Sequence, residues 1–240
     1  MNREFLTVAL AAAAFGATTA HGALINELQP NPAGGDPSEQ TIELLGVAGD
    51  SFSGSVLTID SDNAIGTVDR LTNVSGTFDA NGLLTVDVSD LENPSFTIVL
   101  VGDDATVSVG DDLDTDGDGM LDGLMGLGTV FDAINIPDAS ADEFVSYADQ
   151  LGGTSLSFIG VEPELLFRDA TTLELIAIDG LNGLVFDAAG NVLDPGMFDM
   201  DPFMTTFGAV NPAATAVVPG PAALLLFASA LGGLSLRRRA

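Results

Sequence analysis

The sequence predicts an all-β protein, folded as one β-sandwich of eight or more strands. From Ala23 onwards, short apolar runs rich in Val, Ile, Leu, Thr and Phe are separated at regular intervals by turns rich in Gly, Asn, Asp and Pro. No repeat of fixed period is present, so a solenoid or a propeller is not expected. The chain of 240 residues is long enough for one such domain after its two ends are set aside.

Each apolar run of suitable length predicts one strand. The first strand is expected at 24–28 and the second at 41–44, with a turn-rich loop over 30–37 between them. Further strands are expected at 52–59, 64–71, 83–88, 96–101, 105–109, 127–136, 155–159, 164–168, 173–178 and 184–186. A short surface helix is expected over 141–151, because its apolar residues recur at helical spacing.

The N-terminus has the features of a secretory signal peptide. Arg3 precedes an apolar region over 5–15, and small residues then allow cleavage after Ala20 or Ala23. Residues 1–23 are therefore expected to be removed and the mature protein to be exported. Because the chain has no cysteine, the exported domain must be held together without disulfides, by its core and by any bound metal.

The charge balance is strongly acidic. The formal net charge is -29 and lysine is absent, and after removal of the two ends only Arg70 and Arg168 remain as cations. Such a surface repels nucleic acid phosphates and anionic lipid, so no nucleic acid partner is expected. Divalent cations or a basic partner are the natural counter-charges; the alternative is that the acidic surface only keeps the protein soluble in salt.

The C-terminus combines an apolar run with a basic end. Residues 222–236 carry no charge and are followed by Arg237, Arg238 and Arg239, so the run can enter a bilayer while the arginines stay on the cytoplasmic side. A stable span needs about 20 apolar residues, and this run is shorter and interrupted by two glycines. Transient membrane residence is expected.

A Pro-x-Pro motif, Pro219, Gly220 and Pro221, precedes this apolar run. The order of motif, short apolar helix and arginine cluster resembles the PEP-CTERM sorting signal of exopolysaccharide-producing Gram-negative bacteria, with Gly where that family has Glu. The resemblance implies that residues 218–240 are recognised by an exosortase that cleaves near the motif. It also implies delivery to the cell surface, outer envelope or extracellular matrix. The alternatives are an ordinary C-terminal membrane anchor or a hydrophobic core helix.

A second resemblance concerns the first strands. The resemblance rests on Asn26 and Glu27, which follow an apolar pair, and on the Pro-Asn-Pro loop after them. It also rests on Glu39, on Glu43 with Leu44, and on the Ser-Gly turn within 52–59. These features resemble the opening of the lamin-tail domain of secreted bacterial proteins, which implies an immunoglobulin-like β-sandwich. The domain is predicted to cover 24–190. Residues 191–217, rich in Pro, Gly, Met and Phe without periodicity, are predicted to be a linker to the sorting segment.

An Asp-rich stretch predicts a calcium loop. Asp114, Asp116 and Asp118 fall at loop positions 1, 3 and 5, Asp122 falls at position 9, and Met120 at position 7 would offer its backbone carbonyl. Ca²⁺ takes about 6 to 8 oxygen ligands, and alternating carboxylates on a tight loop supply them.

The glycine at position 6, Gly119, permits the sharp turn of such a loop, but position 12 is Met125 where an EF-hand has Glu. The stretch resembles the shorter loops of dockerin-like and thrombospondin-type calcium repeats. Asp111, Asp112 or water would then supply the missing ligand to a structural calcium ion. The alternative is a solvated acidic turn that needs no metal.

The sequence offers few side chains that could support catalysis, and we predict a non-enzymatic protein with no catalytic residues. The only histidine, His21, lies at the signal cleavage site, so neither a Ser-His-Asp triad nor a histidine zinc site can be built. The predicted role is structural or adhesive, with exopolysaccharide or matrix as partner. Two alternatives remain open, a carboxylate-dependent hydrolase and a calcium-dependent carbohydrate-binding module. The hydrolase would draw on Glu27, Glu39, Glu43, Glu162 and Glu164.

Overall fold

The computed structural model describes residues 22–34, 37–91 and 95–215, and it places them in two β-sheets with one short α-helix. The prediction of a predominantly β protein is therefore confirmed. The sorting segment, with its motif at Pro219–Pro221 and Arg237–Arg239, lies outside the described residues, as does the predicted signal peptide apart from its last two residues. Among the described helices, none has both the length and the apolar character needed to cross a membrane.

The described residues form twelve strands in two sheets. In chain order they are β1 (Leu24–Leu28), β2 (Glu39–Leu45), β3 (Ser51–Asp60), β4 (Val68–Thr77), β5 (Leu83–Ser89), β6 (Phe96–Gly102), β7 (Val130–Ile136), β8 (Thr154–Ser155), β9 (Leu165–Arg168), β10 (Leu175–Asp179), β11 (Leu184–Asp187) and β12 (Val192–Leu193). Helix α1 is Tyr147–Gln150, and 3₁₀ turns occupy Met125–Leu127, Asp142–Phe144 and Pro195–Met197. Sheet A has the order β12-β11-β10-β9-β1-β2-β5, and sheet B the order β4-β3-β6-β7-β8. Neighbouring strands are antiparallel except β7 and β8.

The main core lies between the two sheets. Alternate residues of β2, such as Ile42 and Leu44, share one buried cluster with alternate residues of β6, such as Ile98 and Leu100. This is the period-two pattern expected when one face of each strand points to the partner sheet.

Sheet B is also buried on its outer face. Leu57, Ile59 and Val99 point away from sheet A and pack with Tyr147 and Ala148 of α1 in a second buried cluster. All seven residues of β6 are therefore buried. A strand covered on both faces reads as a continuous apolar run, which is how β6 appears in the sequence.

The outer face of sheet A is covered by a segment that we call the C-terminal strap (residues 194–215). Phe167 of β9 makes an edge-on contact with Phe198 of the strap, with ring centroids 6.0 Å apart. This differs from the predicted linker over 191–217, because β12 belongs to sheet A and the following residues pack onto it. The apolar residues of the strap, which lack any periodicity, are explained by this covering role.

Most predicted strands are confirmed with shifted ends, but the strand expected at 105–109 is a loop. Ala105 and Val107 pack against the second cluster without a partner strand. The strand expected at 64–71 begins later, at Val68, because a turn occupies the residues after β3. The helix expected over 141–151 is divided into a 3₁₀ turn and the single turn of α1.

Candidate metal centre

The Asp-rich loop (residues 111–122) lies against the outer face of sheet B, beside the start of β4. The Val68 N–H donates to the carbonyl of Asp111 at 2.8 Å, and the Leu113 N–H donates to the carbonyl of Gly66 at 2.9 Å. The Leu113 side chain is 7% exposed and belongs to the second buried cluster. The first half of the loop is thus fixed to the sheet by backbone bonds and by one buried side chain.

Asp114, at the first position of the predicted loop, is buried, and both of its carboxylate oxygens accept hydrogen bonds. Its Oδ1 accepts the N–H of Asp118 at 3.1 Å, and its Oδ2 accepts the N–H of Gly119 at 2.9 Å. The Tyr147 hydroxyl of α1 also donates to Oδ2, at 2.8 Å. Burial, and then the bond to Asp114, raises the pKa of the Tyr147 phenol well above its usual value. The phenol therefore stays a donor, and Asp114 joins the loop to the core.

Three carboxylates converge at this loop. One oxygen from each of Asp114, Asp116 and Asp122 lies within 4.8 Å of the others, so the group could hold a metal ion. The charge of Asp118, a small loss of hydration and the charge of Asp122 raise the pKa of the exposed Asp116. Asp122 differs, because the hydroxyl and the N–H of Thr115 donate to its Oδ2 and lower its pKa. Hard divalent cations prefer such oxygen ligands.

The other predicted ligands lie nearby but outside this group of three. Asp118 is exposed, and its Oδ1 accepts the N–H of Met120 at 2.9 Å. Asp111 and Asp112, expected to replace a missing ligand, each accept a backbone N–H, at 2.8 and 3.1 Å. Met125 is 97% exposed. Ligation by Asp118 and by the carbonyl of Met120 therefore stays a prediction.

Two glycines form the turn of the loop. Gly117 and Gly119 have φ values of 67° and 83°, in the left-handed region that side chains with a Cβ rarely adopt. The sequence predicted this role for Gly119. Replacement of either residue by one with a side chain would strain the turn that brings the carboxylates together.

Helix α1 holds the loop through a residue that the sequence analysis missed. Oε1 of Gln150 accepts the N–H of Leu121 at 2.7 Å, and its Nε2 donates to the carbonyl of Gly119 at 2.9 Å. Tyr147, which binds Asp114, was expected only as part of an apolar face. Because Tyr147 and Gln150 are three residues apart, they lie on the same side of a helical turn. That spacing was the available signal, but the sequence does not show which loop the helix faces.

A second carboxylate pair, Glu27 and Glu43, lies on sheet A. These residues are 1% and 0% exposed, because the C-terminal strap covers them. Burial raises the pKa of Glu27 to about 7 and also raises the pKa of Glu43. Since both side chains are sealed under the strap, a glycoside has no access to this pair in the described structure.

Comparisons with known proteins found no family model, no curated protein and no solved structure that matches this chain.

Proposed function

We propose that this chain is a non-enzymatic, exported protein of the cell surface or extracellular matrix, with a calcium-stabilised β-sandwich and a structural or adhesive role. The observation that carries the proposal is the position of Asp114. Its carboxylate belongs to the convergent acidic group and also accepts a hydrogen bond from Tyr147 in the core. A cation bound at this group would therefore tie an exposed loop to the outer face of sheet B.

The chemistry of the group favours calcium. All its ligand atoms are carboxylate oxygens, and its two outer members, Asp116 and Asp122, are exposed, so water can complete the shell. Calcium accepts such flexible, oxygen-only shells, whereas zinc in structural sites prefers Cys and His. Extracellular modules bind calcium with dissociation constants of about 10⁻⁴ to 10⁻³ M, for which an incomplete set of protein ligands is sufficient.

The test compares Asp116→Ala with the unchanged protein. Asp116 is exposed, and its replacement removes one ligand without opening the core. We expect calcium to raise the melting temperature of the unchanged protein and to raise that of the variant much less, with equal values in chelator. Asp103→Ala is the control, because Asp103 is an exposed aspartate outside the loop. An equal calcium-induced rise in the Asp116 variant would contradict calcium stabilisation through the Asp-rich loop.

The lamin-tail type is proposed for the sandwich on the positions of its motif residues. Glu27 and Glu43 are partners across β1 and β2, and the Asn26 side chain donates to Glu43 at 2.7 Å. Three of the residues that carry the resemblance, Asn26, Glu27 and Glu43, thus form a connected, buried group of the sheet. A sandwich of the lamin-tail type fits the two-layer arrangement of the described strands.

Delivery by an exosortase-type enzyme is compatible with the way the described domain ends. The last described strap contact joins the N–H of Thr215 to the carbonyl of Met197 at 2.7 Å. A cut near Pro219–Pro221 would leave this contact and the rest of the strap in place. Mass spectrometry of the mature protein from membrane, surface and medium fractions tests the proposal. A chain that ends near 218–221 and lies outside the cell supports sorting, whereas Arg237–Arg239 retained in the membrane fraction indicates a plain anchor.

One observation favours a second candidate, a calcium-dependent carbohydrate-binding module. The Phe144 ring is 88% exposed, and its backbone carbonyl lies next to Gly119 of the Asp-rich loop. An exposed ring beside a cation resembles the surface on which a sugar ring can stack. Binding of the native exopolysaccharide that falls with Phe144→Ala and with chelator would support this candidate. Binding that neither change affects would exclude it.

A further inference from the structure

A separate group of polar residues lies where the outer face of sheet B ends. Asp60 of β3 pairs with Phe96 of β6, and one residue further the N–H of Ser61 donates to the carbonyl of Ser95 at 2.9 Å. Residues opposite each other in an antiparallel pair point to the same face, with Cβ atoms about 4.5 to 5.5 Å apart. The side chains of Ser61 and Ser95, which are 1% and 0% exposed, therefore share one buried corner.

The Ser95 hydroxyl contacts two carboxylates at once. Its Oγ lies 2.9 Å from Oδ1 of Asp138 and 2.8 Å from Oδ2 of Asp142, and it accepts the N–H of Asp138 at 2.9 Å. A serine hydroxyl has a single proton and can donate to only one of the two carboxylates. The other carboxylate oxygen is then held against a lone pair, which is repulsive unless a proton or a cation lies between the groups.

Two polar atoms in this corner have no hydrogen-bond partner among the described residues. They are Oγ of Ser61 and, as long as Asp60 and Asp62 are both ionised, Oδ1 of Asp62; both atoms are shielded from solvent. The other oxygen of Asp62 accepts Nδ2 of Asn63 at 2.9 Å. Buried polar atoms are normally satisfied, and leaving one without a partner costs about 1 to 3 kcal/mol. Two such atoms beside crowded carboxylates indicate a missing ligand.

No cationic side chain of the described residues is available to these carboxylates. The described chain has two arginines, and Arg70 is bound to Asp69 whereas Arg168 is bound to Asp132. Burial, and then the proton that Asp62 can share with the neighbouring Asp60 carboxyl, raises the pKa of Asp62 to about 6, with a smaller effect from the charge of Asp142. Burial and the closeness of Asp142 raise the pKa of Asp138 as well, although the bond from Ser95 opposes this rise.

We propose that this corner is a second site for a hard divalent cation, bound by the carboxylates of Asp138, Asp142 and Asp62 and by the hydroxyl of Ser61. A cation there relieves the repulsion at Ser95 and gives both unpartnered atoms a ligand. The site joins the end of β3 to the segment after β7, and it lies outside the Asp-rich loop.

The carboxylates of the second site lie farther apart than those of the Asp-rich loop. In the described part of the chain, the only group of three or more carboxylates whose oxygens all lie within 4.8 Å of one another is the one in the Asp-rich loop. Binding at the second site must therefore draw Asp62 towards Asp138 and Asp142, with water completing the shell. Weaker binding than at the loop is the consequence.

The test is to count bound calcium in the mature protein by equilibrium dialysis with radioactive Ca²⁺, at neutral pH and physiological ionic strength. We expect two ions per chain for the unchanged protein, one for Asp142→Asn, one for Asp116→Ala and none for the double variant. Asp142 is partly exposed and Asn has nearly the same shape, so the fold should persist; Asp62→Asn is the second variant. Asp103→Asn removes the same charge elsewhere and should keep two ions.

A second measurement separates the two sites. Tyr147 is the only tyrosine, tryptophan is absent, and the Tyr147 hydroxyl is bonded to Asp114, so Tb³⁺ luminescence excited through tyrosine should report mainly on the loop. Asp142→Asn should keep this signal, and Asp116→Ala should lose it. If Asp142→Asn and Asp62→Asn leave the calcium count unchanged, the corner binds no calcium and its carboxylates share a proton instead. A count reduced by Asp142→Asn but not by Asp116→Ala would support the second site and overturn the calcium loop.

Discussion

Glu27 and Glu43 are direct partners across β1 and β2, and both carboxyl groups are covered by the C-terminal strap. The Thr206 N–H donates to Oε1 of Glu27 at 2.8 Å, and the Gly208 N–H donates to Oε2 of Glu43 at 2.6 Å. The Thr206 hydroxyl lies 2.8 Å from both Oε2 of Glu27 and Oδ1 of Asn211. Because that hydroxyl has one proton, a protonated Glu27 that donates to Thr206 completes the network, and Thr206 then donates to Asn211.

This network predicts that stability falls as the pH rises through neutrality. Burial raises the pKa of folded Glu27 from 4.5 to about 7, so the folded state binds its proton more tightly than the unfolded state does. The resulting stabilisation is complete below about pH 4.5 and is lost as the pH passes about 7, by on the order of 3 kcal/mol. Urea unfolding between pH 5 and 8 measures it.

Glu27→Gln should flatten this pH dependence and make the protein at least as stable as the unchanged one at pH 8, because the amide Nε2 can donate to Thr206 at every pH. Glu39→Gln is the control for the lost charge, since Glu39 is an exposed residue of β2. If the free energy of unfolding depends on pH with the same slope in both variants, the interpretation fails. The pH effect would then come from the overall negative charge.

Thr206→Val should destabilise the protein by about 1 to 3 kcal/mol, because it leaves the Asn211 amide oxygen and Oε2 of Glu27 without their hydroxyl partner. The strap should also become sensitive to protease at lower urea concentrations. Thr205→Val is the matched control, since the adjacent Thr205 is exposed. Equal effects of the two variants would show that the strap is held by its apolar contacts alone.

The position of the C-terminal strap could not be predicted from the sequence pattern. Period-two alternation identified most strands, because that pattern depends only on the strand itself and on one buried face. The covering role of the strap depends on another element, the outer face of sheet A. A signal was nevertheless present in β9 and β10, whose residues are apolar almost throughout. A strand without a polar face must be covered on both sides, and the segment that follows sheet A in the chain supplies the cover.

The metal centre likewise has one part that the sequence predicted and one part that it did not. The spacing of Asp114, Asp116 and Asp122 predicted their convergence, because ligands on one tight loop are local in sequence. The contacts of Tyr147 and Gln150 with the loop depend on how α1 packs on sheet B, which no local pattern encodes. The corner at Ser61 and Ser95 was missed for the same reason, since its residues come from three distant segments.

Tyr147→Phe should lower the stability in chelator by about 1 to 3 kcal/mol, because Oδ2 of the buried Asp114 then keeps only the Gly119 N–H. Urea unfolding with and without calcium measures the change. Calcium should recover part of the loss, since the cation offsets the charge on Asp114. Phe144→Leu alters a ring that is 88% exposed and should change the stability by less than about 0.5 kcal/mol. A Tyr147 variant as stable as the unchanged protein would show that the hydroxyl does not hold the loop.

Arg168 and Asp132 form a buried ion pair that joins the two sheets. Nη2 of Arg168, on β9 of sheet A, lies 2.8 Å from Oδ2 of Asp132, on β7 of sheet B, and the two side chains are 8% and 6% exposed. Nε of Arg168 donates to the carbonyl of Ile25 at 2.9 Å, and the N–H of Ile25 donates to Oδ2 of Asp132 at 2.9 Å. The pair therefore also fixes the start of β1.

Arg168→Met should cost about 3 to 5 kcal/mol, because it leaves the charge of Asp132 buried without its partner. In the double variant with Asp132→Asn the loss should be smaller than the sum of the single losses, by about 1 to 3 kcal/mol, since no unpaired charge remains. Arg70→Met is the control, because Arg70 and Asp69 are 37% and 33% exposed and such pairs contribute about 1 kcal/mol or less. Strictly additive losses in urea unfolding would show that the two side chains act independently, and the sheets would then be held together by the apolar core alone.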